Sequence, residues 1–210
     1  LVSQPKPTGD KSPYFDLAEK YNLKIDFRPF IHVEGVDAQE FRQQRINLED
    51  YGAVILTSKT SVDNYFRIAE EVRFTVPDSM KYFCMSEAVA YYLQKYVTYR
   101  KRKIFFGKAT ITDLIDSIKK HKDERFLLPC SDILRKIIPD TLEKAKINFS
   151  SAVLYRTVAS DLSDLEEVKY DVLVFFSPSG IESLLKNFPD FVQDTKSGKS
   201  LLKNFPDIIS

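Results

Sequence analysis

The 210-residue sequence contains only six glycines, two cysteines and two histidines. No glycines stand at the G-x-G-x-x-G or G-x-x-x-x-G-K spacing of phosphate-binding loops, which argues against a nucleotide cofactor. The histidines are isolated from each other and from the cysteines, which argues against a zinc site. No G-x-S-x-G elbow indicates a hydrolase. No apolar stretch approaches the length needed to span a bilayer. We therefore expect no cofactor, no metal and no membrane association.

Acidic or basic excess is also lacking, since 31 basic residues against 30 acidic ones give a net charge of +1. This balance does not favour nucleic acid as a partner. The basic run at residues 100–103 is interpreted as a solvated turn rather than a polyanion-binding patch. Cys84 and Cys130 both lie in apolar segments, and we interpret them as reduced thiols of the core or the site edge. Reduced thiols fit a cytoplasmic protein.

What the chain does contain is an apolar run that breaks at a Ser-Pro-Ser-Gly turn and resumes at helical spacing, VLVFFSPSGIESLL at residues 172–185. The run at 173–176 is rich in aromatic and branched side chains without polar alternation, which predicts a strand buried on both faces. Ser179 is predicted to cap the helix, with Glu182 completing a capping box. Gly180 would let a ligand or another backbone come close. The unpaired N–H groups of such a helix start make the turn a candidate anion site.

The same arrangement occurs earlier, in AVILTSKTSVDNYFRIAEEV at residues 53–72. Residues 53–56 are the predicted strand, and apolar side chains three and four positions apart predict the helix. The turn between them contains Thr57, Ser58 and Lys59. Thr60 and Asp63 are predicted to form a second capping box. Two such segments suggest two similar α/β halves with sites at the carboxyl ends of their strands and a shared cleft between the halves.

Strands and helices alternate along the rest of the chain, which predicts an α/β protein with parallel sheets. Further strands are predicted at residues 23–33, 81–85, 104–106, 126–128 and 151–158. Further helices are predicted at residues 13–21, 38–43, from Ser86 to Tyr96, after a Thr110/Asp113 cap, and from Ile133, with a kink at Pro139 or a restart over residues 140–146. Hydroxyl groups follow several strands, including Ser86 and Ser131. Helix capping alone would explain them, and the functional alternative is that they bind carboxylates or phosphates of a ligand.

Four segments together resemble the uroporphyrinogen-III synthase family of tetrapyrrole biosynthesis, and the resemblance runs from residue 1 to about residue 191. They are AVILTS at 53–58, FLLPCSDILRKIIPDTL at 126–142, AVLYRTV at 152–158 and VLVFFSPSGIESL at 172–184. The last two, in that order and distance, are the most specific. The resemblance implies two flavodoxin-like parallel-sheet domains joined by a two-stranded β-ladder hinge. Domain 1 would comprise residues 1–33 and 160–210, domain 2 residues 36–153, and the hinge strands residues 30–36 and 153–160.

The implied reaction is that of a cofactor-free lyase, which cyclises linear hydroxymethylbilane to uroporphyrinogen III in the cleft between the domains. The substrate loses water and its last pyrrole ring is inverted through a spiro intermediate. Tyr155 matches the tyrosine that the family places at the cleft, and it is the candidate catalytic residue that hydrogen-bonds the departing hydroxyl; packing in the hinge ladder is the structural alternative. The candidate substrate-binding residues are Thr57, Ser58, Lys59, Ser86, Ser131, Ser177, Ser179 and Gly180.

Partners implied by the resemblance are the small-molecule linear tetrapyrrole and the preceding enzyme of the pathway, and a monomer is expected. Two features depart from the family pattern. Its G-x-x-T-A turn is replaced by SEAVA at residues 86–90. SLLKNFPD at 183–190 recurs verbatim at 200–207, where the family has a further strand, turn and helix, so the tail of domain 1 is expected to be incomplete. The alternative function is a non-catalytic two-domain homologue that binds a tetrapyrrole or another polycarboxylate.

Overall fold

The computed structural model describes residues 1–9, 11–134 and 136–189. The second copy of the SLLKNFPD repeat and the expected incomplete tail lie outside these residues. The chain divides into two compact units, unit 1 and unit 2. Unit 1 combines residues 1–33 with the chain from residue 157 onward, and unit 2 comprises residues 34–156. The domain boundaries and the hinge role expected from the sequence remain predictions.

Seven helices and six strands lie in the described part of the chain. The helices are α1 (Pro13–Tyr21), α2 (Ala38–Gln43), α3 (Lys59–Glu71), α4 (Glu87–Leu93), α5 (Ile111–Lys119), α6 (Ile137–Lys144) and α7 (Pro178–Asn187). The strands are β1 (Ile31–Gly35), β2 (Ala53–Leu56), β3 (Lys81–Cys84), β4 (Ile104–Phe106), β5 (Phe126–Ser131) and β6 (Phe149–Ala159). The strands form one sheet in the order β1-β6-β5-β2-β3-β4, and all pairings from β6 to β4 are parallel. The predicted α/β class with a parallel sheet is confirmed.

The centre of unit 2 is β2, which pairs with β3 on one side and with β5 on the other. Its side chains alternate between two apolar cores: Val54 and Leu56 enter one, Ala53 and Ile55 the other. Helices α2, α3 and α4 cover the first core, whereas α5 and α6 cover the second. This is why β2 reads as a continuous apolar run: a strand between two helical layers is buried on both faces.

The order of the strands creates a switch point in unit 2. Numbered within the unit from β2 (first) to β6 (fifth), the sheet has the order 3-2-1-4-5. A flavodoxin sheet has the order 2-1-3-4-5, so the observed order differs from the flavodoxin-like one that the resemblance implies, although both are doubly wound. After β2, the chain adds β3 and then β4 on one side of β2, and it then crosses to the other side to form β5 and β6. The switch point is the place between β2 and β5 where this direction reverses. In open α/β sheets, ligands bind beyond the carboxyl ends of the strands at such a point.

Unit 1 has a core of its own. Leu1, Phe30, Leu162 and Leu184 are buried together, and Val2 forms isolated parallel bridges to Phe27 and Val174. The strand predicted at 173–176 is therefore wrong, since only Val174 pairs, while Val172 and Phe176 are 54% and 51% exposed. The strand predicted at 23–33 is likewise reduced to the bridge at Phe27, followed by β1 at residue 31.

Two of the three predicted capping boxes are wrong. Helix α3 is capped by Ser58 and Ser61 rather than by Thr60 and Asp63, and both hydrogen bonds of that box are present. Helix α7 begins at Pro178 with Ser177 as its N-cap, two residues before the predicted cap at Ser179, and no side chain caps it. Proline is favoured at the first helical position because its φ is preset and its missing N–H is not needed there. The Thr110/Asp113 box of α5 is confirmed.

The segment after β5 also differs from its prediction. The strand runs through Pro129 and Cys130 to Ser131, and the helix begins only at Ile137, not at Ile133. Pro139 consequently lies in the first turn of α6, where it displaces no hydrogen bond and causes no kink. Helix α4 ends at Leu93, before Tyr96. The bounds predicted for α1, β2 and β4 are confirmed.

Candidate functional site

The turn between β2 and α3 is held by two serines. Ser58 is the N-cap, and its hydroxyl accepts a hydrogen bond from the Ser61 N–H at 3.1 Å. The buried Ser61 hydroxyl accepts from the N–H groups of Thr57 and Ser58, both at 3.0 Å, and donates to the Ser58 carbonyl at 2.7 Å. These bonds fix the backbone of the turn, so Thr57 and Ser58 occupy defined positions at the carboxyl end of the central strand.

Tyr155 reaches the same edge of the sheet through a bulge in β6. Cys130 pairs with Val153 and Ser131 pairs with Tyr155, so Leu154 is an extra residue on the β6 side. The Asp132 N–H donates to the Tyr155 carbonyl at 3.2 Å. A bulge changes the direction in which the following side chain points, and bulges are frequent beside active sites.

The phenol of Tyr155 lies beside the hydroxyl groups of the β2–α3 turn. Burial raises the pKa of Tyr155, and the neighbouring hydroxyls of Ser58 and Thr57 oppose that change only in part. The phenol is therefore neutral near pH 7 and carries a proton that it can donate in a hydrogen bond. The structure thus brings together Tyr155, Thr57 and Ser58, three of the candidate site residues, whose roles in binding and catalysis stay predictions.

Lys59 is the first residue of α3, and its side chain is exposed. Its ammonium group lies 5.4 Å from the centre of the Tyr92 ring. The Tyr92 hydroxyl in turn donates to the Asp63 carboxylate at 2.9 Å, which fixes the ring across helices α3 and α4. Stacking on an aromatic face attracts a cation and restricts it without neutralising its charge. Lys59 therefore offers a positive charge next to the Thr57-Ser58 turn.

Ser131 and Ser86 follow the strands on either side of β2. Ser131 ends β5, and its hydroxyl donates to the Ile133 carbonyl at 3.1 Å. Ser86 caps α4 and accepts from the Val89 N–H at 3.4 Å, so the predicted cap is confirmed. Neighbouring strands are about 4.8 Å apart, so the edge from β6 across β5 and β2 to β3 extends about 14 Å. A ligand of several linked rings could contact hydroxyls along this edge.

The two thiols take no part in this chemistry as nucleophiles. Both cysteines are free and buried, which confirms their interpretation as reduced thiols of the core. Burial raises the pKa of Cys84 to about 12 and that of Cys130 to about 11. The Cys130 thiol donates to the Ala152 carbonyl at 3.3 Å, between β5 and β6. Thiols that stay protonated are poor nucleophiles and poor metal ligands.

In unit 1, the remaining candidates lie at the start of α7. Ser177 is the N-cap but its side chain makes no capping hydrogen bond, and Ser179 lies in the first turn. Gly180 is buried, and a Cβ added there would meet only side-chain atoms, the nearest being the Phe175 ring at 3.4 Å and the Ser3 hydroxyl at 3.8 Å. The three atoms nearest to such a Cβ in the described part of the chain all belong to side chains, so the close approach of a ligand or a backbone to Gly180 stays a prediction. A ligand role for these residues remains a prediction.

Three contributors were missed by sequence reasoning: Ser61, Tyr92 and Ser3. Ser61 stands three residues after Ser58, which is the capping-box spacing, but a serine at that position is a weaker signal than Glu or Gln. Tyr92 could be linked to Lys59 only by knowing that α4 packs against α3. Ser3 lies beside Gly180, and its N–H donates to the Val174 carbonyl at 3.0 Å.

Within the described residues, no three or more His, Cys, Asp or Glu side chains are grouped so that they could hold a metal ion. None of the helices that the structure describes is long and apolar enough to cross a membrane.

Comparisons with known proteins agree on one family. A family model described as uroporphyrinogen-III synthase HemD matches residues 13–202 of this chain. A search of curated proteins finds no match.

Several solved structures share the fold. A mutant uroporphyrinogen III synthase from the extremely thermophilic bacterium Thermus thermophilus aligns with a TM-score of 0.54 at 16% identity, covering 84% of this chain and 73% of that chain. The wild-type enzyme from the same organism gives a TM-score of 0.52 at 15% identity, with 95% and 80% covered. Uroporphyrinogen-III synthetase from Helicobacter pylori gives 0.52 at 17% identity, with 80% and 75% covered. The TM-scores show a shared fold, and at identities this low the alignments show the fold alone.

Proposed function

The chain belongs to the uroporphyrinogen-III synthase family, and we propose that it cyclises linear hydroxymethylbilane to uroporphyrinogen III, with loss of water and inversion of the last pyrrole ring. The family consists of enzymes of heme biosynthesis that act on a small-molecule tetrapyrrole. The observation that carries the proposal for this chain is the neutral Tyr155 phenol beside the Thr57 and Ser58 hydroxyls at the switch point of unit 2. As a cyclising enzyme that eliminates water, the protein is a lyase.

Binding of the substrate depends on its carboxylates. The first turn of α3 presents unpaired N–H groups and the positive end of the helix dipole, next to the hydroxyls of the Thr57-Ser58 turn. Lys59, held against the Tyr92 ring, adds a full positive charge at the same place. Anions are bound well by this combination of helix N–H groups and a cation. Ser131 and Ser86 extend the polar edge to the neighbouring strands.

The reaction then requires that the hydroxyl of the bilane, a poor leaving group, be assisted as it departs. The hydroxyl at the end of the bilane leaves as water, taking up one proton, while the electron-rich pyrrole stabilises the cation that remains. The methylene carbon that carries the cation bonds to the substituted α-carbon of the last pyrrole ring and gives the spiro intermediate. The bond between that α-carbon and the methylene bridge of the third ring then breaks, and the bridge carbon bonds instead to the free α-carbon of the last ring. Loss of the proton from that carbon restores aromaticity and returns the proton taken up in the first step, so only water is lost overall. Tyr155 donates a hydrogen bond to the departing hydroxyl. Positioned hydrogen-bond donors of this kind contribute about 10²–10⁴-fold to a rate.

Both units contribute in this proposal. The Ser177-Ser179-Gly180 turn of unit 1 and the Thr57-Ser58-Lys59 turn of unit 2 are each proposed to bind a carboxylate, and residues 30–36 and 153–160 are the proposed hinge strands. Two α/β domains joined by two such strands would close over the substrate, because few contacts cross a boundary of this kind.

A coupled assay tests the proposal. Freshly made hydroxymethylbilane is given to the purified chain, and the type III and type I macrocycles are separated after oxidation. Excess type III over the spontaneous type I product is the expected result. Type I alone would contradict the synthase, and type I alone together with saturable binding of the product would identify the non-catalytic binding homologue instead.

A further inference from the structure

Unit 2 contains a cavity of about 380 Å³ that the proposed function does not use. Pockets that bind small molecules commonly measure about 300–1,000 Å³. The cavity is lined by apolar and polar groups together, among them three aromatic rings and three charged side chains. The residues on which the argument rests are Phe66, Tyr82, Tyr96, Asp78, Arg100 and Lys103.

The cavity lies at the opposite edge of the sheet from the candidate active site. Its lining comes from the segments that precede β3 and β4, including Asp78, Met80, Arg100 and Lys103, together with the first residue of β4. The Thr57-Ser58 turn and Ser86 lie at the carboxyl ends of β2 and β3. Because β3 has four residues at about 3.3 Å each, the two edges are about 13 Å apart. A ligand in the cavity would therefore not occupy the candidate active site.

One wall of the cavity consists of stacked rings. The rings of Phe66 and Tyr96 are parallel within 2°, with centroids 4.4 Å apart, and the Phe66 ring lies 6.3 Å from that of Tyr82. The Tyr96 hydroxyl donates to Asp63 at 2.5 Å, which fixes the orientation of its ring. Flat aromatic ligands pack favourably against preformed aromatic walls because the rings lose little conformational freedom on binding.

A polar group inside the cavity has no partner within the described chain. Tyr82 is only 4% exposed, and its hydroxyl makes no hydrogen bond to any residue that the structure describes. Among those residues, every side-chain oxygen or nitrogen that is fully enclosed has a hydrogen-bond partner. The Tyr82 hydroxyl has none, so it must reach open space. Tyr82 lines the cavity. Burial raises the pKa of Tyr82 and keeps the phenol a donor. The cavity thus contains a hydrogen-bond donor suited to an acceptor on a ligand.

The rim carries a net positive charge. The Arg100 guanidinium lies 3.6 Å from the Asp78 carboxylate, and both side chains are largely exposed. The Lys103 ammonium donates to the Asp78 carbonyl, so its charge is not neutralised there. Two cations against one carboxylate leave one positive charge at the mouth of an aromatic cavity. Arginine and lysine recognise carboxylates through charge-assisted hydrogen bonds.

From this aromatic wall, this donor and this rim, we propose that the cavity of unit 2 is a binding site for a small planar aromatic monocarboxylate. The ring lies against Phe66 and Tyr96, and the carboxylate accepts hydrogen bonds from Arg100 and Tyr82. The site is independent of the synthase reaction.

Isothermal titration of the purified chain with 1-naphthoate tests the proposal, with the neutral 1-naphthalenemethanol as the comparison ligand. We expect one saturable site per chain, with naphthoate bound about tenfold more tightly than the alcohol, a difference of about 1.4 kcal/mol. Failure to saturate at millimolar naphthoate would overturn the proposal, and so would equal affinity for the two ligands.

Variants assign the binding to this cavity. Arg100→Gln is expected to weaken naphthoate binding about tenfold, and Tyr82→Phe about threefold, with circular dichroism unchanged. Arg102→Gln is the matched control, because Arg102 belongs to the same basic run but does not line the cavity. It should change affinity by less than about twofold. Equal losses of naphthoate affinity in the Arg100 and Arg102 variants would mean that positive charge near the surface alone attracts the ligand. That result would overturn the proposal of a binding site in the cavity.

Discussion

Residues 53–72 and 172–185 carry nearly the same sequence pattern but have different structures. In unit 2, all four residues of β2 are fully buried between two cores, and Ser58 and Ser61 close a capping box at the start of α3. In unit 1, the corresponding run makes one bridge at Val174, its ends are half exposed, and α7 has no side-chain cap. A shared pattern of apolar run, hydroxyl turn and helix is therefore not sufficient to define a strand.

The difference lies in the neighbours of each run. Strand β2 has a parallel partner on both sides and helices on both faces. Val174 is paired with Val2, which is paired in turn with Phe27, and each of these pairings is an isolated bridge. Strand formation depends on partners that are distant in sequence, because a single extended segment gains few hydrogen bonds by itself.

The largest expected effect compares the two apolar runs directly. Ile55→Ala in β2 should lower the free energy of unfolding by about 2–5 kcal/mol, because it leaves a cavity in a filled core. Val172→Ala, at a half-exposed position, should lower it by less than about 1 kcal/mol. Urea titrations followed by circular dichroism measure both. Equal losses would mean that unit 1 buries this run as fully as unit 2 does.

A smaller difference in the free energy of unfolding is expected between the N-caps of α3 and α7. Ser58→Ala removes the acceptor for the Ser61 N–H and should cost about 1 kcal/mol of unfolding free energy. Ser177→Ala removes no capping hydrogen bond and should cost less than about 0.5 kcal/mol. The same denaturation measurement compares the pair. A loss at Ser177 as large as that at Ser58 would contradict the described difference in capping.

Lys59 distinguishes the two turns in their proposed binding of substrate, since the corresponding turn of unit 1 has no lysine. Lys59→Gln should raise the KM for hydroxymethylbilane about threefold and leave kcat nearly unchanged, because the charge binds substrate without taking part in the reaction. Tyr92→Leu should do the same to a smaller extent by releasing the lysine. Lys119→Gln, an exposed lysine on α5, is the control. A fall in kcat at constant KM would contradict a purely binding role.

The smallest expected effect concerns an ion pair of unit 1. Arg28 contacts Asp164 through two hydrogen bonds of 2.9 and 3.0 Å, and this holds the pKa of Asp164 below its usual range. A lowered carboxyl pKa stabilises the fold above the pKa of the unfolded chain, about 3.9, and the contribution disappears as pH falls through the lower folded value.

Asp164→Asn should therefore destabilise the protein at pH 7 by no more than about 1 kcal/mol, since the pair is partly exposed. The difference from the unaltered protein should shrink towards pH 2. Asp123→Asn, at an exposed position, is the control. Thermal unfolding at several pH values measures the trend, and a difference that grows on acidification would have the wrong sign for this account.

The local signals in the sequence predicted several elements of both units well. The bounds of α1 in unit 1, the bounds of β2 and β4 in unit 2 and the Thr110/Asp113 box follow from propensity, periodicity and capping, which depend on nearby residues. The errors occur where distant partners decide. The strand at 173–176 depended on pairing that the run itself does not reveal. Asp63 was predicted to cap a helix, but its carboxylate instead accepts hydrogen bonds from the Tyr92 and Tyr96 hydroxyls.

The candidate site was predictable in its members but not in its geometry. Thr57 and Ser58 follow from the rule that parallel strands place their carboxyl ends at one edge, and Tyr155 from the family resemblance. The sequence does not reveal the bulge at Leu154 or the stacking of Lys59 on Tyr92, because both arise from pairing between separate elements. The cavity of unit 2 likewise forms from segments that are separate in the sequence and meet only in the folded chain.

The most direct test of the account compares two tyrosine variants in the coupled assay. Tyr155→Phe removes only the phenol oxygen beside Thr57 and Ser58, while Tyr91→Phe makes the same change at a side chain that is 76% exposed on α4. We expect the rate of type III formation to fall about 100-fold in Tyr155→Phe, with type I product accumulating, and to stay unchanged in Tyr91→Phe. Type III formation at the native rate in Tyr155→Phe would contradict the proposed role of the hydroxyl edge of unit 2.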